Sequence, residues 1–81
     1  MNLYSMHMSI KVSIAGGSGY AGGELLRILA AHPEFEVTTV AAGAKAGQPI
    51  TTVHPHLSRY ADQSFVEADP ALLGAADLVF L

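Results

Sequence analysis

Ile10-Lys11-Val12-Ser13-Ile14-Ala15-Gly16-Gly17-Ser18-Gly19-Tyr20-Ala21-Gly22-Gly23-Glu24-Leu25-Leu26-Arg27 is the stretch that decides the fold. Its first six residues alternate apolar and polar, carry β-branched side chains and stop at a glycine cluster, which predicts a strand over 10–15. Gly16–Gly19 predicts a turn. Beyond it, good helix formers take over, and Leu25, Ile28, Leu29 and His32 recur at three- and four-residue spacing. That pattern predicts an amphipathic helix from Tyr20 to about His32. Pro33 cannot continue a helix, and it turns the preceding residue away from the helical region. Phe35–Ala41 (FEVTTVA) predicts a second strand. A strand, a helix and a strand joined by a short turn form a βαβ unit, whose strands run parallel through a right-handed crossover. The fold class is α/β: the N-terminal part of a Rossmann-type parallel sheet with helix crossovers.

The glycine spacing carries chemistry. Gly17-x-Gly19-x-x-Gly22 and Gly16-x-x-Gly19-x-x-Gly22 are both satisfied. One glycine makes the tight exit from the strand, Gly19 leaves the backbone open to a pyrophosphate, and Gly22 lets the helix pack closely. The helix start offers unpaired N–H groups and the positive end of its dipole to phosphate, with Ser18 as an extra hydroxyl donor. Dinucleotide binding is the expectation, against a ligand-free glycine turn. Gly23 speaks against the plain turn, because a further glycine in the first helical turn costs up to ~1 kcal/mol relative to Ala. Tyr20 has two equal readings: it packs over the cofactor, or it covers the strand ends.

The choice of dinucleotide rests on the end of the second strand. An NAD site usually places an acid about 20 residues past the fingerprint to hold the ribose 2′-hydroxyl. Ala41-Ala42-Gly43-Ala44-Lys45 stands there instead, and Glu36 lies at the wrong end of the strand. Small residues leave room for a 2′-phosphate and Lys45 supplies a positive charge, so NADP is expected, with a solvated loop lysine as the alternative for Lys45. His54-Pro55-His56 has the look of a metal pair, but Pro55 disturbs its geometry and no third ligand is near, so no metal site is expected.

The remainder is read more coarsely. Ala42–Pro49 predicts a loop, Thr51–Tyr60 has no clean period and reads as irregular, and Gln63–Val66 predicts a short strand. Pro70–Leu73 predicts one helical turn and Leu78–Leu81 a final buried strand. Because that strand ends the chain without a cap or polar tail, a truncated sheet is expected. Met1–Met8 precedes the pattern and is expected to be an extension, leaving 9–81 as an NAD(P)-binding domain incomplete at its C-terminus.

Composition narrows the function classes. The 81 residues are 51% hydrophobic and 14% charged, which excludes disorder. A net charge of −3 disfavours nucleic acid as a partner. No apolar run approaches the ~18–20 residues of a membrane span. There is no cysteine, hence no disulfide, no thiolate zinc site and no cysteine nucleophile. With no signal-peptide pattern at the start, a cytoplasmic location is expected.

Gly16-Gly17-Ser18-Gly19-Tyr20-Ala21-Gly22-Gly23-Glu24-Leu25-Leu26-Arg27 resembles the opening of the N-acetyl-gamma-glutamyl-phosphate reductase family of arginine biosynthesis. The likeness continues through His32-Pro33, Ala42–Gly47, His54-Pro55-His56-Leu57 and Asp77–Leu81, covering nearly everything after Met8. Gly17, where the family often carries Ala or another small residue, is a departure expected to be harmless. The resemblance implies NADPH-dependent reduction of an acyl phosphate, N-acetyl-glutamyl 5-phosphate, to the semialdehyde by a homo-oligomeric enzyme. It also implies a cysteine thiolate that forms a thioester and a histidine that assists proton transfer, both in later sequence. No catalytic residue is therefore carried over, His54 and His56 do not inherit the role, and these residues alone are expected to be inactive. The cofactor half is carried over: Gly16, Ser18, Gly19, Tyr20, Ala21 and Gly22 at the phosphates, Gly43 and Lys45 near the adenosine ribose. The alternatives are a stand-alone NAD(P)-binding module or another Rossmann enzyme: an aspartate-semialdehyde dehydrogenase, a lysine-pathway acyl-phosphate reductase or an epimerase.

Overall fold

The computed structural model describes residues 9–81, so the expected extension at Met1–Met8 lies outside the described residues. β1 (Ile10–Ala15) and β2 (Phe35–Ala41) have the predicted bounds, joined by α1 (Tyr20–Ala30). They are followed by a short α2 (Ile50–Val53), a 3₁₀ turn (Ser58–Tyr60), α3 (Pro70–Gly74) and β3 (Leu78–Phe80). The three strands form one parallel sheet in the order β2-β1-β3. The chain therefore crosses from one side of β1 to the other between β2 and β3. Among the described residues no helix is long and apolar enough to cross a membrane.

α1 ends at Ala30, two residues short of the expected His32, because Ala31 and His32 already donate to Ile28 O and Leu29 O in a tightened last turn. Its buried face also differs from the expected one. Leu26 and Leu29 are enclosed with Gly22 and Gly23, whereas Ile28 is 47% exposed and His32 lies outside. Asp69 caps α3, its Oδ1 accepting from Ala71 N at 2.9 Å, with Pro70 in the first turn. Asp77 fastens β3 to β1: its Oδ2 accepts from Lys11 N and its N–H donates to Lys11 O, both at 2.9 Å.

The segment expected to be irregular, 51–60, buries His54, Leu57 and Tyr60, and with Ile50 before it and Phe65 after it folds back against β1, α1 and β2. Pro55 divides the segment into two short helical pieces, yet positions 50, 54, 57 and 60 keep helical spacing on one side. Full burial of a side chain such as Phe65 stabilises by about 1.5–3 kcal/mol. Tyr60 Oη donates to Leu26 O at 2.7 Å, and burial raises the Tyr60 phenol above its ordinary pKa. The expected strand at Gln63–Val66 is reduced to single bridges, Ser64 with Pro49 and Val66 with Ala41, because Phe65 turns into the core between them.

Ser13, in the centre of β1, is fully buried, and its Oγ has no hydrogen-bond partner among the described residues. An unpaired buried hydroxyl costs about 1–3 kcal/mol. Ser13→Ala is accordingly expected to raise stability by about 1 kcal/mol, read as a higher urea midpoint at unchanged slope. A lowered midpoint would mean that the hydroxyl is hydrogen-bonded in solution.

Candidate cofactor site

The carboxyl ends of β1 and β2 meet at the glycine loop. Gly16 leaves β1 at φ +77°, a conformation that L side chains rarely adopt, so a glycine is needed at the turn itself. Gly16 N and Gly17 N both donate to Ala41 O, at 3.0 and 2.9 Å. This pair ties the loop to the end of β2 and sets the Ala42–Lys45 segment beside it. Gly19 N then closes a turn on Gly16 O at 3.4 Å, and α1 starts at the next residue.

The start of α1 is built open. Gly19 is its N-cap with no capping side chain, and no acid stands in the first turn. The first four N–H groups of a helix have no intrahelical partner and carry the positive end of the dipole. Gly19, Tyr20 and Ala21 are exposed around them, Tyr20 by 86%, so its ring does not cover the strand ends. Glu24, the nearest acid on the helix, is paired with Arg27 at 3.1 Å. That hydrogen bond holds the Glu24 carboxyl below its usual range and raises Arg27. The local field at the helix start therefore stays favourable to an anion.

Two glycines set how close the parts lie. A Cβ at Gly22 would fall 2.6 Å from Gly16 O and 2.7 Å from Gly17 Cα, so α1 sits directly on the loop. A Cβ at Gly19 would meet nothing nearer than Gly16 O at 3.8 Å, leaving that face open for a ligand backbone. A Cβ at Gly17 would overlap Val40 Cγ1, so an alanine there would require Val40 to move.

A crevice opens beside the loop. A groove of about 380 Å³ runs from Ala21 and Gly22 between Ile14–Gly16 and Phe80, where the strand order reverses around β1. Open parallel sheets bind ligands at such a switch point, outside the carboxyl ends of the strands. A larger depression of about 490 Å³ lies beside the first half of β2, lined by Glu36, Thr38, Arg59 and Gln63 among others. It lacks a glycine loop and a helix start, so the groove at the loop is the candidate site.

The structure thus brings Gly16, Ser18, Gly19, Tyr20, Ala21 and Gly22 together at one loop and helix start. Gly43 and Lys45 stand exposed in the neighbouring turn, where Ala46 N donates to Gly43 O at 3.1 Å and Gln48 N to Lys45 O at 3.0 Å. Among the described residues Lys45 has no acidic partner. His54 and His56 do not converge as a metal pair. Their ring centroids are 6.3 Å apart, and His54 Nε2 is engaged 2.8 Å from Gly17 O. Sequence reasoning missed this contact. The recurrence of Ile50, His54, Leu57 and Tyr60 on one side was the available sign that His54 faces inward.

With a glycine loop, an uncapped helix start and a crevice at the strand switch, the chain has the makings of a Rossmann-type nucleotide domain. It belongs to the family described as semialdehyde dehydrogenase, NAD binding domain, whose model matches residues 11–81. A nicotinamide dinucleotide is the ligand of such a domain. Among curated proteins, the chain is 60% identical over 74 residues to N-acetyl-gamma-glutamyl-phosphate reductase of Acidothermus cellulolyticus, covering 91% of this chain and 22% of that protein. The reductase of the same name from Salinispora arenicola is 55% identical over 74 residues, with the same coverage. LysW-L-2-aminoadipate/LysW-L-glutamate phosphate reductase of Sulfurisphaera tokodaii is 53% identical over 73 residues, covering 89% and 21%. The chain spans about a fifth of the length of the curated relatives it matches.

Proposed function

We propose that this chain is the cofactor-binding segment of a cytoplasmic, homo-oligomeric, NADPH-dependent reductase that converts N-acetyl-glutamyl 5-phosphate to its semialdehyde in arginine biosynthesis. The observation that carries the reading is 60% identity to a reductase of that name across a stretch that includes the whole glycine loop. The LysW-linked relative, at 53%, supports a close second reading, in which the acyl phosphate is that of a LysW-linked aminoadipate or glutamate. The two readings share one class of chemistry, the reduction of an acyl phosphate.

Within these residues the work is binding and orientation. Ser18, Tyr20, Ala21 and Gly22 offer backbone N–H groups, and Ser18 its hydroxyl, to the pyrophosphate, while Gly16 and Gly19, whose own N–H groups donate to Ala41 O and Gly16 O, shape the loop and leave it open to the ligand. Gly43 and Lys45 face the adenosine ribose. When bound, the cofactor supplies hydride. No cysteine lies in this chain, so it contributes no thiolate nucleophile. Assay of the full-length protein with synthetic N-acetyl-glutamyl phosphate and with a LysW-linked acyl phosphate separates the two substrates. Turnover of neither would exclude both.

The preference for NADPH follows from the missing acid at the end of β2. Lys45→Ala is expected to weaken NADPH about tenfold or more and to leave NADH nearly unchanged, as befits a charge-assisted contact to one phosphate. Fluorescence titration with both cofactors measures it, and equal losses would remove Lys45 as the 2′-phosphate partner.

A further inference from the structure

We propose that His54 is a positioning residue for the phosphate-binding loop: by holding the Gly17 carbonyl, it aims the Ser18 N–H at the cofactor's pyrophosphate. The inference rests on the cofactor reading above and adds to it a residue 37 positions along the chain from the loop.

Gly17 and Ser18 are the central residues of the turn that Gly19 N closes on Gly16 O at 3.4 Å, a long bond that fixes the turn weakly. The orientation of the middle peptide is what separates one turn type from another, so this peptide is the part of the loop able to flip. His54 Nε2 lies 2.8 Å from its oxygen, Gly17 O. A carbonyl only accepts, so the imidazole donates, as the Nε2–H form. A trans peptide carries its C=O and N–H on opposite sides. Anchoring Gly17 O against the buried ring therefore turns the Ser18 N–H away from it. That N–H has no acceptor among the described residues, and its neighbours Gly19, Tyr20 and Ala21 are the exposed ones at the start of α1.

The ring itself has little freedom. Phe65 meets it edge-on at 6.3 Å between centroids, and on α1 a Cβ at Gly23 would lie 2.6 Å from its Cε1 and 2.8 Å from its Nδ1. Gly23, a poor helix former in the first helical turn, thereby has a physical reason: it makes the seat for His54. The latch joins the segment around Pro55, the start of α1 and the loop between them.

The test compares two variants of the full-length protein by NADPH fluorescence titration, with thermal melts to confirm folding. His54→Leu keeps bulk but has no donor, whereas His54→Gln retains an N–H able to reach Gly17 O. The dissociation constant is expected to rise about tenfold in His54→Leu and to return to within about threefold of the parent in His54→Gln. An unchanged constant in folded His54→Leu, or equal weakening in the two variants, overturns the proposal. Should His54→Leu fail to fold, the parent protein decides by NMR. The cofactor-free form is expected to show His54 protonated at Nε2, and NADPH to move the Ser18 amide proton downfield. A proton on Nδ1 alone, or a stationary Ser18 amide, overturns the latch while leaving cofactor binding intact. A parent protein that binds neither NADPH nor NADH overturns the cofactor reading, and the latch with it.

Discussion

Gly19→Val in the full-length protein is expected to fold like the parent and to lose nicotinamide-cofactor binding about a hundredfold or more, equivalent to about 2.7 kcal/mol. The backbone does not refuse the side chain: Gly19 sits at φ −80°, ψ 175°, a region open to any residue. Nor do its neighbours, since a Cβ there meets only Gly16 O at 3.8 Å. What valine occupies is the open face through which the pyrophosphate reaches the loop and the helix start. Melting and cofactor titration should therefore separate, with an unshifted melt beside a large loss of affinity. Retained affinity would show that the pyrophosphate does not cross Gly19.

Gly22→Ala, three residues further on, is expected to do the reverse and cost stability first, by about 1–2 kcal/mol. The new Cβ meets backbone atoms, Gly16 O at 2.6 Å and Gly17 Cα at 2.7 Å, which cannot rotate aside as a side chain can. Overpacking of this kind typically costs 1–3 kcal/mol, and the better helix propensity of alanine offsets at most about 1 kcal/mol. Urea unfolding of the full-length protein measures it. Unchanged stability would mean that α1 stands further from the loop than these distances give. The two glycines share one motif, yet one keeps space for the ligand and the other for the protein itself.

Much of the architecture was legible because it is local. β1, the turn, α1 and β2 lie in one run of sequence whose alternation, glycines and helix formers agree with one another, and both strands have the bounds read from the chain. The cofactor loop was legible for the same reason, since a phosphate cradle needs backbone without side chains and glycines at fixed spacing declare it. The face of α1 was less legible. The adjacent Leu25 and Leu26, with Ile28 and Leu29 a turn later, allow more than one apolar stripe, and only the core shared with β1 and β2 selects Leu26 and Leu29 over Ile28.

By itself, then, the sequence determined the βαβ unit, the glycine loop at its first turn and the absence of an acid after β2. Tertiary structure decided the strand order β2-β1-β3, the return of residues 50–66 over the sheet and the partner of His54. Propensity and periodicity report the conformation of neighbours along the chain. Whether His54 meets a metal, solvent or the carbonyl of Gly17 depends on which surfaces come together once Pro55 has broken the helix. That is settled by the space Gly23 leaves and by the burial of Ile50, Leu57, Tyr60 and Phe65 around it.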